Sequence, residues 1–554
     1  MSELPDRFNL ATWLVEPHLA ARPKKIAVRS ALRDLTYAEL ADEAARAQAA
    51  FSELVPDLHE RRVLLVLPDV PEFVTSWLAT LRAGAVFAMV NPRLSSDEYG
   101  YYLEYSRAPI AVVHQDAWEA FVPAARGARL LRAIVVAGPG ARERTAEARR
   151  ELPTVTVVAY DDAVTAAKPA SAPFDTHRDD LCGWLFTSGT SGRPKAALHG
   201  HGDFAWNVDH YAKQVVGIRE SDVTMAVSKL FFGYATGTNL MFPFAVGATT
   251  ALFSEPSKPE AVVARAREFQ PTLLAAVPTT LAGIIELDER GETGVLGVSG
   301  VKEAFRSLRL VISAGEALPP KLLDDFTRRF GIEILDGIGS AEMFHIYISN
   351  RPGDVKAGSL GRIVPGYSAR VVGADGLEVE PEEVGTLHVS GPSAGAGYFQ
   401  DAAKSRATFH GDTVVSGDLF RRDADGRFWY EGRADDMLKV AGIWVAPREV
   451  EECLLTHKAV RECCVVGFED ERGLVTPLAY VALQEGIAAA PALTQELVEH
   501  VKRKLAHYKA PRRIEYLAAL PRNDRGKIAR AELRRLADAR GERGGRGGAG
   551  SGAA

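Results

Sequence analysis

Cysteine is scarce in this chain: four among 554 residues, at Cys182, Cys453, Cys463 and Cys464. None forms a C-x-x-C pair, so neither a zinc site nor a disulfide framework is suggested. Buried, reduced thiols are expected, which fits the cytoplasm. Long apolar runs are missing as well. None approaches the roughly 20 residues of a membrane span. The segment Met1 to Ala11 lacks the basic and apolar blocks of a secretory leader. Charge of one sign is not in excess either, and a net charge of -6 gives no footprint for nucleic acid. The expectation is a cytoplasmic protein without membrane segment or nucleic-acid partner. Low complexity is confined to the end, where Arg540-Gly-Glu-Arg-Gly-Gly begins a Gly/Arg run. Residues 537–554 therefore read as a disordered tail.

What is present is an ordinary globular composition, long enough for two to four domains. Through the first 350 residues, β-branched apolar runs alternate with amphipathic segments. Arg62 to Leu67, Ala248 to Phe253, Leu273 to Val277, Leu308 to Ser313 and Ile332 to Leu335 read as strands. Pro71 to Gly84, Lys258 to Phe269 and Pro319 to Phe330 have helical spacing. Such alternation predicts an α/β fold of layered, largely parallel sheets. From Ala369 to Tyr430 short strands and turns suggest a β-rich lobe, and a compact α+β unit follows Arg433. The expected division is a large N-terminal domain, 1–432, a small mobile C-terminal domain, 433–536, and the tail, 537–554.

The densest chemistry lies in Thr187-Ser188-Gly189-Thr190-Ser191-Gly192-Arg193-Pro194-Lys195. It follows the apolar run Leu181 to Phe186, a predicted buried strand. Glycines let backbone N–H groups approach a ligand, the hydroxyls add donors, and Lys195 adds positive charge. Such a loop suits a polyphosphate. A Walker loop is excluded, because the position five after Gly189 is Pro194 and not the glycine of a Gly-Lys pair. Two further loops follow predicted strands: Ser313-Ala314-Gly315-Glu316, and Asp336-Gly337-Ile338-Gly339-Ser340-Ala341-Glu342. Ligands gather at such strand ends in α/β sheets, so backbone could take a base and Glu342 a metal. Asp418, in Ser416-Gly417-Asp418, could accept both hydroxyls of a ribose beside Arg433. Lys527 sits on a glycine-hinged loop. Two motifs are rejected. Gly391-Pro-Ser393-Ala-Gly395 imitates a hydrolase elbow, but Gly395-Ala-Gly-Tyr398 opposes the helix that elbow requires. His199-Gly-His201 lacks carboxylate or cysteine company and reads as a helix entry.

These segments, in this order, resemble the adenylate-forming superfamily of acyl-CoA and aryl-CoA ligases, peptide-synthetase adenylation domains and beetle luciferases. The resemblance covers about Phe8 to Leu536. Leu81-Arg-Ala-Gly-Ala-Val-Phe-Ala-Met-Val-Asn-Pro92, Lys229-Leu-Phe-Phe-Gly-Tyr234, Glu342-Met-Phe-His-Ile346 and Asp436-Met-Leu-Lys-Val-Ala-Gly-Ile-Trp-Val445 resemble the benzoate-CoA ligase group in particular.

The resemblance implies ATP, Mg²⁺ and coenzyme A. Lys527 would be the catalytic cation of adenylation, and Glu342 would help hold Mg²⁺. Thr187, Thr190 and Lys195 would hold the β- and γ-phosphates. Ser313 to Glu316, Asp336, Gly337, Ile338 and Ser340 would line the nucleotide, with Asp418, Phe420 and Arg433 at the ribose side. Asp435 would be the hinge about which the small domain turns. Lys439, Ala441, Gly442, Ile443 and Trp444 would then border the pantetheine, and Lys509, in a basic segment from Lys502 to Arg513, would meet CoA phosphates. Many relatives carry threonine where this chain has Ala341. The missing hydroxyl, worth about 0.5–1.5 kcal/mol, implies slower or altered adenylation, with Ser340 able to compensate. The acyl pocket would comprise Phe232, Gly233, Tyr234, Ala235, Gly339, His345 and Ile346. Aromatic rings beside glycines suit a flat acid. Room at Gly233 and a polar partner in His345 favour 2-aminobenzoate (anthranilate), with benzoate and other aminobenzoates next. The nearest alternative is a stand-alone adenylation enzyme that loads an acyl carrier protein. More distant ones are a luciferase-like oxygenase and an inactive nucleotide-binding regulator. Oligomeric state, monomer or homodimer, stays open.

Overall fold

The computed structural model describes residues 4–170, 172–188, 193–292, 300–433, 436–440, 443–469, 475–522 and 528–545. At 149, 188, 292, 439, 443–444, 469 and 538–545 it describes the backbone alone. The chain forms two compact units, Met1–Ala369 with Val389–Val415, and Arg370–His388 with Ser416–Ala554.

Two large sheets build the first unit. The eight-stranded sheet runs, edge to edge, through Gly397–Tyr398, Pro194–Gly200, Leu181–Ser188, Val86–Met89, Arg62–Val66, Ile110–His114, Ala133–Ala137 and Thr156–Ala159. The nine-stranded sheet runs through Arg362–Ile363, Ile346–Ser349, Ile334–Gly339, Leu310–Ser313, Leu273–Ala276, Val223–Ala226, Thr249–Leu252, Ile26–Ser30 and Leu35–Thr36. The central strands are parallel. Helices cover them, so both faces are dry and the strands read as unbroken apolar runs. Val63 to Val66 and Ile110 to Val113 have no exposed surface.

Helix starts follow local rules. Pro71, Pro259 and Pro320 each open a helix, where their missing N–H costs nothing. Thr36 with Glu39, and Ser95 with Glu98, form capping boxes that begin Tyr37–Leu54 and Ser96–Ser106.

The parallel order breaks beside the loops of interest. Leu181–Ser188 and Pro194–Gly200 are antiparallel neighbours. So are Ile334–Gly339 and Ile346–Ser349. Only antiparallel strands can be joined by so short a loop. The alternation of elements predicted the parallel layers but not these two hairpins.

In the second unit, Val460–Glu469 and Val475–Leu483 pair antiparallel and Arg513–Tyr516 joins in parallel. The helices Pro447–Leu455 and Pro491–Lys504 pack on this sheet through Val450, Leu454, Leu497 and Val501. Residues 370–388 and 416–433 supply β-rich structure, including the antiparallel pair Thr413–Arg422 and Phe428–Arg433 from Asp418 onward.

One expectation is corrected. The segment from 537 is not irregular from its start, because helix Arg530–Gly545 continues into it. Leu533 and Ala537 are buried against Cys464, Val466 and Tyr480, so the helix has an apolar seat that composition did not reveal. Residues 546–554 lie outside the described residues. All four cysteines are buried and free of disulfides. Among the described residues, no helix is long and apolar enough to cross a membrane.

Gly183 lies in the strand that leads to the phosphate loop. A Cβ there would overlap Phe87 Cζ and lie 2.8 Å from Phe204 Cζ. Gly183→Ala is expected to destabilise by about 1–3 kcal/mol through overpacking, read as a lower urea midpoint. An unchanged midpoint would contradict this packing.

Candidate functional site

The phosphate-loop residues Gly189, Thr190, Ser191 and Gly192 lie outside the described residues, as does the side chain of Ser188. The ends of that loop are described. Thr187 and Lys195 face each other across the hairpin in register. Tyr101 fixes the second strand by donating its hydroxyl to the Pro194 carbonyl at 2.5 Å. The Lys195 ammonium sits 3.7 Å from the centroid of the Tyr398 ring.

The same Tyr398 donates its hydroxyl to Glu342 Oε1 at 2.6 Å. Burial, then the neighbouring Glu342 charge, pushes the Tyr398 phenol well above its ordinary range, so it stays a donor. Glu342 occupies a tight turn, Ala341–Met343. Phe344, just after it, has φ 68°, a conformation that is unfavourable for a bulky side chain. The surroundings hold that turn. His199 Nε2 meets the Ala341 carbonyl at 2.7 Å. Gly395 N–H donates to the Glu342 carbonyl at 2.9 Å. Ser393 Oγ–H donates to the Met343 carbonyl at 3.0 Å. Three successive carbonyls are therefore tied by three groups from elsewhere in the chain.

Both rejected motifs find their place here. Ser393 is fully buried between Met343 and Tyr367, and strand Gly397–Tyr398 follows it where an elbow would have a helix. His199 has no exposed surface and also meets Asp203 at 3.1 Å through Nδ1. His201 opens helix His201–Asn207 and accepts from Leu10 N–H at 3.1 Å.

Nearby strand ends carry the remaining loops of the first unit. Ser313 and Asp336 are adjacent in parallel register, and both are buried. Ala314 is buried too, Gly315 has φ 93°, and Glu316 accepts from Thr279 Oγ1 at 2.8 Å. A Cβ at Gly337 would lie 2.8 Å from the Ile348 carbonyl, and one at Gly339 would overlap the His345 carbonyl. These glycines let the two strands of the hairpin approach. Ile338 and Ser340 are half-buried.

The aromatic residues form a cluster. Phe232, Gly233 and Tyr234 are partly exposed, whereas Ala235 and Ile346 are fully buried. Tyr234 anchors its hydroxyl on the Ile312 carbonyl at 2.9 Å. His345 stacks on Tyr234 at 5.5 Å and donates from Nε2 to the Tyr234 carbonyl at 3.1 Å. Its Nδ1 is buried and has no partner among the described residues. Burial holds the His345 pKa down at about 4, so the ring is neutral. A Cβ at Gly233 would make only ordinary contact with Leu185, at 3.5 Å.

Sequence reasoning missed Tyr398, and also Asp69 with Lys229. Leu230 N–H donates to Asp69 Oδ1 at 2.9 Å, and Thr236 Oγ1–H donates to the Leu230 carbonyl at 2.8 Å. These bonds pin the start of the loop that carries Phe232. The Lys229 ammonium donates to the Phe253 carbonyl at 2.8 Å and lies over that ring. Burial lowers its pKa to about 8 and raises that of Asp69 to about 6. Lys229 stands in one of the segments that carry the resemblance, but its role and those of Asp69 and Tyr398 depend on contacts between residues far apart in the chain, such as Asp69 with Leu230 and Tyr398 with Glu342.

In the second unit, Asp418 lies 3.6 Å from Arg433 and opposite it in the strand register. Phe420 is fully buried against Tyr430. Lys439 and Trp444 are paired positions in the small ribbon Leu438–Val440 with Ile443–Val445; their side chains and that of Ile443 are not described. Lys509 is ion-paired with Glu449 at 2.6 Å. Asp436 accepts from Arg534 at 2.6 Å. Asp435, Ala441, Gly442 and Lys527 lie outside the described residues.

Among the described residues, no cluster of three or more His, Cys, Asp or Glu could cage a metal. Glu342 offers, among the described residues, a carboxylate close to the hairpin that carries Lys195. That donor set fits Mg²⁺, which keeps several waters and is commonly held by one or two carboxylates plus substrate phosphates.

Comparison with known proteins identifies the family. Residues 15–399 match the family described as AMP-binding enzyme, and residues 449–527 match the AMP-binding enzyme C-terminal domain. The benzoate–CoA ligase of Thauera aromatica is 40% identical over 96% of this chain and 97% of its own length. The 4-hydroxybenzoate–CoA/benzoate–CoA ligase of Rhodopseudomonas palustris is 36% identical over 96% of this chain and 94% of its own. A crystal structure of the anthranilate CoA ligase AuaEII in complex with anthranoyl-AMP superposes with a TM-score of 0.88. It is 34% identical and covers 97% of this chain and 99% of that one.

His201, like His345, is buried with its pKa near 4. Both rings are neutral in the folded state, whereas the unfolded chain takes up protons below about 6.5. Stability is therefore full above that pH and falls as pH drops toward 4. At pH 5 each ring is expected to contribute about 2 kcal/mol to the loss. Urea unfolding at pH 7 and pH 5 checks this. His201→Asn, which keeps an acceptor for Leu10, should lose about 2 kcal/mol less on acidification. An equal loss would refute the assignment.

Proposed function

The chain belongs to the AMP-binding enzyme family as an adenylate-forming aryl-CoA ligase that uses ATP and CoA, and on that premise we propose how its residues divide the reaction. The observation that carries the reading is the joint seat of Lys195 and Glu342 on Tyr398. A cation and a carboxylate gathered on one ring support a joint phosphate and metal site there.

An aromatic carboxylate is a poor electrophile, and its approach to the α-phosphate of ATP is opposed by like charge. Positive groups must offset that repulsion. We assign Thr187, Thr190 and Lys195 to the β- and γ-phosphates and Glu342 to Mg²⁺, which when bound supplies charge neutralisation on the phosphates. Lys527 is assigned to the point of attack. There a carboxylate oxygen bonds to the α-phosphorus as pyrophosphate leaves. Asp418 and Arg433 hold the ribose, and the ends of Leu310–Ser313 and Ile334–Gly339 line the base.

For the second step, residues 433–536 are assigned to a mobile domain turning at Asp435. The segment Lys439 to Trp444 then replaces the Lys527 loop. The CoA thiolate attacks the acyl carbon, and AMP departs. We place the reaction in the cytoplasm.

The acid is proposed to be anthranilate, with benzoate and other aminobenzoates next. Two features support it. Gly233 leaves methyl-sized room beside Leu185, and the neutral His345 ring stacks on Tyr234 with an Nδ1 that lacks a partner among the described residues. The benzoate relatives favour the unsubstituted acid instead. A panel of benzoates with ATP and CoA should give the highest kcat/KM for anthranilate. Equal or better turnover of benzoate would defeat that choice.

Lys527→Ala is expected to lower adenylate formation at least about a hundredfold, the scale of losing one preorganised transition-state group. Thioester formation from preformed aryl-AMP should be spared. Equal loss of both steps would refute the role given to the lysine.

A further inference from the structure

We propose that Tyr398 is a positioning residue that couples the metal-site carboxylate to the phosphate-site lysine. The inference rests on the assignments of Glu342 and Lys195 made above. One side chain serves both: its hydroxyl donates to Glu342 Oε1 at 2.6 Å, and its ring lies 3.7 Å under the Lys195 ammonium.

The backbone explains how it reaches both. Strand Gly397–Tyr398 pairs antiparallel with Pro194–Gly200, with Tyr398 opposite Ala197. Lys195 is two residues from Ala197, so its side chain leaves the same face of the sheet at the diagonal position that aromatic and long side chains can bridge. Tyr398 is itself held. Its N–H donates to Ser405 Oγ at 2.9 Å, and Ser405 Oγ–H donates to the Asp401 carbonyl at 2.7 Å. It is 7% exposed, so neither contact competes freely with water.

The chemistry of the two contacts suits the roles. A phenol on one carboxylate oxygen fixes the plane of Glu342 and leaves its other oxygen for a cation. An aromatic face attracts an ammonium through its quadrupole, so the Tyr398 ring helps to fix where the Lys195 cation sits. The two roles are separable, because the hydroxyl serves Glu342 and the ring serves Lys195.

The test uses the full chain and three variants, Tyr398→Phe, Tyr398→Leu and Glu342→Ala. ATP binding is measured by calorimetry in EDTA and again with Mg²⁺, and Mn²⁺ binding with ATP is followed by electron paramagnetic resonance. Tyr398→Phe should bind ATP in EDTA as the parent does but lose about tenfold of the gain that metal confers. Tyr398→Leu should lose that gain and also bind ATP about threefold more weakly in EDTA, through the missing cation–π contact. Normal metal-dependent gain in Tyr398→Phe would overturn the proposal. So would equal weakening of both variants in EDTA, which would mark Tyr398 as a packing residue only. Glu342→Ala separates the levels. If it abolishes the gain while Tyr398→Phe keeps it, the role of Tyr398 alone is wrong. If it keeps the gain, the metal assignment itself fails and takes this proposal with it.

Discussion

The turn that presents Glu342 is held only in part by its own backbone, through Met343 N–H to the Ser340 carbonyl at 3.3 Å and Phe344 N–H to the Ala341 carbonyl at 3.4 Å. It is three residues long, and an unfavourable φ at Phe344 follows it. An isolated segment would not keep this shape, since a strained backbone persists only where its surroundings over-determine it. Here they do so through His199, Gly395 and Ser393, which tie the carbonyls of Ala341, Glu342 and Met343. The position of the carboxylate is thereby a property of the whole unit. His199 comes from the strand that follows the phosphate loop, and Gly395 and Ser393 come from the segment that leads into its edge strand. The hairpin of Thr187 and Lys195 and the Glu342 turn are built on shared supports.

This arrangement explains the sheet topology around the site. Parallel strands with covering helices supply rigid layers, and each of the two key loops sits where a strand turns back antiparallel. Glycines then do steric work at the crossing. Gly339 admits the His345 carbonyl, and Gly237 admits the His345 ring, which a Cβ at either place would overlap. His345 of the aromatic cluster and the Glu342 turn are consequently neighbours along one hairpin, three residues apart.

Much of this was legible in the sequence, for physical reasons that can be named. Unbroken apolar runs such as Arg62 to Leu67 announced buried parallel strands, and Pro71 marked a helix start to the residue. Strand ends loaded with glycine, hydroxyl and acidic residues located the loops. Local pattern could not give the long-range pairs. Tyr398 and Glu342 are 56 positions apart, and His199 and Ala341 are 142 apart. Periodicity carries no information at such separations. His199 and Ser393 did stand out, and rejecting a metal site and a hydrolase elbow was consistent with what they do. Their service to the Glu342 turn needed the fold to become visible. Glycine and arginine content suggested disorder from 537, while the backbone of helix Arg530–Gly545 runs into that stretch with Ala537 buried.

The most direct measurement is a crystal structure of the protein with Mg²⁺ and a non-hydrolysable ATP analogue. The account expects the cation at about 2.0–2.1 Å from a Glu342 carboxylate oxygen. It expects Lys195 on the outer phosphates, and the bonds to the carbonyls of Ala341, Glu342 and Met343 intact. A cation bound away from Glu342, or a turn that lets go of those bonds to reach it, would contradict the claim that the protein holds this carboxylate in place beforehand.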